Sequence, residues 1–252
     1  MARSAACWHA VEFGRSALRQ EVSCVTRMIS NRPDDLKRIY RARFEARAAY
    51  RQRVWSVLIE RFFSRFIAQG DAVLDLGCGY GEFINNVSCA HKFAMDLNPD
   101  AKIRLRENVI LFEQDCSQRW PLEEASLEVI FTSNFFEHLP NKEALGRTLD
   151  EACRCLKPGG RLIAMGPNIK YVPGAYWDFW DHQLPLTELS LEEAFVTRGL
   201  DIELKHSKFL PYTMARGGQP PVWFLKVFLM APIAWRFFGR QFLLIGRKAS
   251  AH

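Results

Sequence analysis

The chain reads as an α/β fold, a doubly wound and mostly parallel sheet, on three observations. Short apolar runs alternate with stretches of helical spacing through the middle of the sequence. The first run leads directly into a glycine-rich turn, VLDLGCGYGEFI at residues 73–84. Two late apolar runs have no crossover helix of βαβ type between them, which predicts an antiparallel pair at one edge.

The elements follow in order. Residues 1–30 form a leader that lacks the continuous apolar core of a secretory signal, and Met28 offers an alternative start. Residues 31–69 form a basic, amphipathic helical extension. In it Leu36, Ile39, Tyr40, Phe44, Ala48, Val54, Leu58 and Phe62 recur at helical spacing up to Gly70. Strands are predicted at 72–76, 92–97, 109–112, 127–133 and 161–165, and helices at 81–87, 142–156 and 190–198. The late strands are placed at 202–210 and 241–247. As domains, 70–210 is the ligand-binding and catalytic unit, 211–240 an aromatic, apolar insert, and 241–252 the last strand and tail. The insert's longest uncharged run, Val227 to Trp235, is too short to cross a bilayer and is interrupted by Pro232. It is left to lie on a membrane, cap a hydrophobic pocket or pack.

Composition narrows the class. An apolar fraction of 48% with 25% charged residues is that of a globular protein. The net charge of +6 is unevenly placed, with Arg27, Arg32, Lys37, Arg38, Arg41, Arg43, Arg47, Arg51, Arg53, Arg61 and Arg65 crowding the region before the glycine turn. That asymmetry suits an anionic partner or a solvated helix face. Seven scattered cysteines without a CxxC pair are expected to be free thiols, and a cytoplasmic site follows as the default.

The glycine turn sets the ligand question. Gly77, Gly79 and Gly81 let the backbone bend sharply and let a ligand approach where a Cβ would collide. A dinucleotide turn needs GxGxxG. Here the spacing is GxGxG, and Glu82 stands where the third dinucleotide glycine would be, tending to repel phosphate. Asp75, near the strand's end, requires donors or positive charge if buried. S-adenosylmethionine carries an ammonium and a sulfonium and no phosphate, so the local electrostatics fit it better than NAD. Asp96, with Leu97 after it, ends the second strand, where a carboxylate can accept from both ribose hydroxyls. Asp115 follows the third strand, placed to meet the adenine amine with the Cys116 backbone beside it.

Taken as an ordered set, VLDLGCGYG, AMDLNPD, QDC, TSNFFEHL and LKPGGRLIAMGPN resemble the successive motifs of class I S-adenosylmethionine-dependent methyltransferases of the type 11, ubiquinone O-methyltransferase-like kind. The resemblance covers about residues 70–205. It implies a Rossmann-like sheet of seven strands with the last antiparallel. It also implies cofactor contacts from Asp75, Gly77, Gly79, Asp96, Asp115 and Cys116, with Asn134 near the methionine part.

Such a cofactor brings an activated methyl, so the protein has to hold a nucleophile in line, exclude water and, for an alcohol, remove a proton. Two segments offer a base. His138 follows the fourth strand in EHL; in similar quinone-forming enzymes the Glu-His pair lies by the acceptor and can hold a metal. Here the sequence shows no third ligand, and no metal is expected. The segment 167–188 is too long and aromatic for a mere connection. In it Tyr171, Tyr176, Trp177 and Trp180 offer flat surfaces for a sugar face or prenyl group, and Asp181 beside His182 suggests a pH-responsive base. His182 is preferred as the base, then His138. The absence of an NPPY-type motif and of an appended RNA-binding module disfavours nucleic acid. The expected acceptor is an oxygen on a small molecule, lipid or glycan, and residues 220–238 could touch the inner face of the membrane. The rival readings are a noncatalytic adenosyl-binding module and, with little support, an NAD-dependent oxidoreductase.

Overall fold

The computed structural model describes residues 47–212 and 219–250 and, ahead of them, Arg38. The leader and, Arg38 apart, the basic run and helical extension up to residue 46 lie outside the described residues. Helix α1 (Ala48–Arg61) continues into a 3-10 turn (Phe63–Phe66). Then come β1 (Ala72–Leu76), β2 (His91–Met95), a short α2 (Ala101–Arg104), β3 (Val109–Phe112) and β4 (Leu127–Ser133). They are followed by α3 (Lys142–Cys155), β5 (Leu156–Pro167), α4 (Glu188–Val196), β6 (Leu200–His206), α5 (Val222–Met230), α6 (Pro232–Phe238) and β7 (Gln241–Lys248).

The strands form one seven-stranded sheet in the order β3-β2-β1-β4-β5-β7-β6. β1 to β5 pair in parallel, and β7 runs antiparallel to both β5 and β6. Alternation along each strand assigns the two faces. Val73, Val129, Phe131 and Ile163 join one core layer with α1 and the glycine-turn segment. Leu74, Ile130, Leu162 and Leu244 join the other with α3 and α4. Local signals place the helices of that second layer: the Asn141 side chain accepts from the Ala144 N–H at 2.8 Å to start α3. Thr187 and Ser190 form a capping box at the start of α4.

Three expectations need correction. The helix expected at 81–87 is a series of turns: Asn85 and Val87 bond back to Gly81 and Phe83 as in a helix, but the Ile84 N–H goes to the Asp75 carboxylate at 3.3 Å. The second strand stops at Met95, because the Asp96 carboxylate accepts the N–H of Gly79 and of Asn98 and bends the chain out of the ladder. The strand placed at 202–210 ends at His206. The insert, assigned no secondary structure from the sequence, is two helices hinged at Pro232, which takes the first helical position where a missing N–H does no harm.

The helix α1, set apart in the sequence as an extension, packs as part of the sheet's own cover. The Trp55 and Phe63 rings meet Phe131 edge-on at centroid distances of 5.8 and 5.1 Å, and Phe83 of the turn segment stacks on Phe131 at 3.7 Å. Replacing Phe131 with Ala should therefore lower stability in urea unfolding by about 3–5 kcal/mol. Trp180→Ala, at a side chain 92% exposed, should change it by no more than about 0.5 kcal/mol.

Candidate active site

Parallel β1, β4 and β5 end on the same side of the sheet, so the segments that leave them meet there: the glycine turn, a 3-10 turn at Phe136–His138 and the long loop after Pro167. Gly77, Gly79 and Gly81 all have positive φ, at 71°, 55° and 72°. At Gly77 a Cβ would also stand 2.2 Å from the Phe135 ring, so only glycine fits beneath it.

Two buried carboxylates support this turn from the sheet. Asp96 accepts the Gly79 N–H at 2.7 Å and the Asn98 N–H at 2.8 Å. Burial pushes its pKa up to about 6. Asp75 is buried beneath the turn, and burial, with the negative charges of Glu82 and Asp96 adding to it, raises its pKa well above the carboxylate range. Glu82 does not stand alone as a phosphate-repelling charge in the turn: it is buried and paired with Arg51 of α1 at 2.6 Å. The partner came from 31 residues upstream, which spacing within the motif could not show.

The remaining cofactor positions surround the turn. Leu97 is partly exposed, an apolar surface beside Asp96. Asp115 is exposed and accepts the Ser117 N–H at 2.8 Å. The Cys116 thiol points away into the core, 3.3 Å from the Thr148 hydroxyl, and burial pushes its pKa up to about 12. Any contact from Cys116 to a ligand is therefore a backbone contact. Asn134 adopts a left-handed φ of 50°, and its N–H donates to the Met165 carbonyl at 2.8 Å, tying the ends of β4 and β5 together. These residues fit an adenosyl cofactor. Each Asp96 oxygen accepts one backbone N–H and keeps a lone pair for a ribose hydroxyl.

On the acceptor side the structure rearranges the expected partners. Asp181, expected beside its neighbour His182, also reaches His138. The His138 Nδ1 lies 3.3 Å from the Asp181 carboxylate and 3.0 Å from its carbonyl oxygen. The His182 ring is held among Phe179, Tyr176 and His138, at centroid distances of 4.8, 4.7 and 4.9 Å. Glu137 anchors the long loop through its carbonyl, which accepts the N–H groups of Gln183 and Leu184. Its buried carboxyl is pushed up to about 7 by burial. The missing third ligand also appears: Glu137, His138 and His182 each present a ligand atom within 4.8 Å of the others. The sequence hid this because His182 reaches the Glu-His pair only through the folding of the loop.

The loop aromatics divide. Tyr176 is fully buried and packs beneath the loop, so its ring offers no face to an acceptor. Its hydroxyl has no hydrogen-bond partner among the described residues. Trp177 and Trp180 are exposed, and Tyr171 is half-buried with the Lys208 ammonium 4.4 Å above its ring. A cleft lined by Arg65, Asp71, Glu128 and Arg161 lies at the opposite, amino end of the strands and is remote from this chemistry.

With this geometry in view, the chain matches the family model of the methyltransferase domain over residues 47–205. Among curated proteins it is similar to the 27-O-demethylrifamycin SV methyltransferase of Amycolatopsis mediterranei (strain S699), 28% identical over 104 residues, which is 37% of this chain and 37% of that relative. Among solved structures it is similar to a chain from a complex that contains the Haloferax volcanii Trm112 methyltransferase activator. That likeness has a TM-score of 0.62 at 19% identity and covers 83% of this chain and 96% of the other. A SAM-dependent methyltransferase from Archaeoglobus fulgidus gives 0.60 at 18% identity, over 81% and 99%. The match begins at the start of α1, which agrees with that helix being built into the core. By its matched domain, its sheet order and the motifs around its glycine turn, the chain belongs to the methyltransferase domain family as a class I S-adenosylmethionine-dependent enzyme.

Proposed function

We propose that the enzyme methylates a hydroxyl oxygen, with His138 as general base and Asp181 as the group that orients it. The single observation that carries this reading is the His138–Asp181 pair at the mouth of the cofactor site. The cofactor supplies a methyl already activated on sulfonium. His138 receives the acceptor's proton at Nε2 while the oxygen takes the methyl. The Asp181 carbonyl accepts from Nδ1–H, with the Asp181 carboxylate 3.3 Å from the same nitrogen, and together they favour the tautomer that leaves Nε2 unprotonated. His182 packs against the same ring and is the second choice as base. The curated relative is named for transfer to an oxygen, which agrees with this class of acceptor. Trp177 and Trp180 offer exposed flat faces for a sugar ring or an isoprenoid chain, so a small-molecule, lipid or glycan alcohol suits the loop better than nucleic acid.

A second reading has a divalent cation on Glu137, His138 and His182, favoured by the 4.8 Å cluster. There Asp181 would orient a ligating histidine, and the open positions would take the acceptor oxygen. Chelation separates the two: activity unchanged after EDTA and dialysis supports the histidine base, while loss restored by one added cation supports the metal.

For the base, His138→Ala should lower kcat by roughly 10²–10⁴-fold, with adenosylhomocysteine affinity unchanged in calorimetry. Asp181→Asn should fall in the same direction by less. Retained turnover in both variants would remove the proposal.

For the cofactor, ribose hydroxyls donate to the ionised Asp96, whose pKa is held near 6 in the free protein. The protonated carboxyl below that value is the weaker acceptor, so affinity should fall as pH drops through about 6 and level off above it. Asp96→Asn should weaken binding at neutral pH by about 1–3 kcal/mol and flatten that pH dependence, both readable by calorimetric titration.

A further inference from the structure

We propose that the outer face of the α5–α6 insert docks on an anionic lipid surface. The insert is apolar on both sides, although it lies outside the sheet. Val222, Leu225, Phe228 and Leu229 of α5 and Trp235 of α6 pack inward on the α1 layer. The opposite side of α5 presents Trp223, Phe224, Val227 and Met230, the last 80% exposed. On α6, Ile233 and Phe237 are 70% and 69% exposed, with Phe238 beside them. Their spacing, 223, 227 and 230 on one helix and 233 and 237 on the next, gathers them on one side of each helix. A helix apolar all round needs cover on both sides, and here one side lacks it.

Charge indicates what the cover is. From residue 204 to the end the sequence contains eight Lys and Arg and no Asp or Glu. Lys226, Arg236 and Arg240 lie in or directly after the two helices, with Arg236 and Arg240 exposed. Exposed aromatic and aliphatic side chains with basic neighbours and no acid are the pattern of a helix that lies in the headgroup region of an anionic bilayer. No helix among the described residues is long and apolar enough to cross a membrane, so the contact is with one surface only.

The topology gives the contact a direction. The insert leaves the sheet after β6 and returns into β7, whose first residue, Gln241, pairs with Pro167 at the carboxyl end of β5. Arg240 donates to the Tyr171 carbonyl at 3.4 Å, and Lys208 sits over the Tyr171 ring. The root of the insert is thus joined to the loop that carries His182, and docking would bring the acceptor side of the site towards the bilayer. The surface is argued independently of the acceptor's identity and of the base.

The test is flotation of the full chain with vesicles of phosphatidylglycerol and phosphatidylcholine in equal parts, beside vesicles of phosphatidylcholine alone. Binding is expected to the anionic vesicles, and it should weaken as the screening length shrinks from about 10 Å at 0.1 M salt to about 3 Å at 1 M. The double substitution Trp223→Ser with Phe237→Ser should lower partitioning by roughly tenfold or more, with adenosylhomocysteine affinity kept as the check on folding. In the unaltered chain, amide hydrogen exchange over residues 219–238 should slow when anionic vesicles are added, a readout that needs no variant. Failure to float at low salt, no change on the double substitution, or a dimer in solution that dissociates on that substitution would each overturn the proposal.

Discussion

Asp75 and Asp96 hold the turn after β1 by its backbone, and the cofactor site depends on that grip. One takes the N–H of Ile84 and the other the N–H of Gly79, so the loop between them is fixed at two points nine and seventeen residues away in sequence. A backbone at positive φ at three places has little intrinsic preference for one shape, and these bonds select it. Burial raises the pKa of both acids, and at Asp75 the negative charges of Glu82 and Asp96 add to it. Such a site is poorly satisfied without a cationic or hydroxyl-bearing ligand. A cofactor with an ammonium, a sulfonium and two ribose hydroxyls brings both.

The same grip explains why α1 belongs to the catalytic unit. Its Arg51 neutralises Glu82 at the far end of the turn, and its Trp55 packs against Phe83 and Phe131. Charge and packing thus reach the turn from a helix that precedes it in sequence. Removing Arg51 would leave a buried carboxylate beside Asp75 without its counter-charge, a larger effect than the loss of an exposed ion pair. The sheet holds the turn from one side and α1 from the other.

Much of this was legible in the sequence because the signals are local. The runs 72–76, 109–112 and 127–133 have strand composition and abrupt polar ends, and the structure places strands there without displacement. The acids at 75, 96 and 115 announced themselves by following successive strands. The parts that were not legible are those decided by contacts far apart in the chain. The turn segment 81–87 has helical spacing, yet the Asp75 carboxylate takes one of its N–H groups. Asp181 adjoins His182 in sequence, but the loop's bonds to the Glu137 carbonyl turn it towards His138. The exposed side of the insert read only as apolar, because which residues face out depends on where α5 rests against α1.

The placement of β7 ties the remaining features together. An antiparallel strand inserted between β5 and β6 makes the chain leave β6 and re-enter β7 at the same edge, the one where the parallel strands end. The segment between those strands therefore leaves and returns beside the active-site mouth. The long loop after β5 starts from that edge as well, and Asn168 is bound there to Glu188, to the Ser207 carbonyl and, through its N–H, to the Arg240 carbonyl. One buried asparagine side chain and backbone thus join the acceptor loop, the start of α4 and both roots of the insert. A ligand that reorders the loop would be felt at the insert through this residue, and a surface that immobilises the insert would steady the loop that bears Asp181 and His182. Asn168 is the point at which acceptor binding and surface contact would share one set of hydrogen bonds.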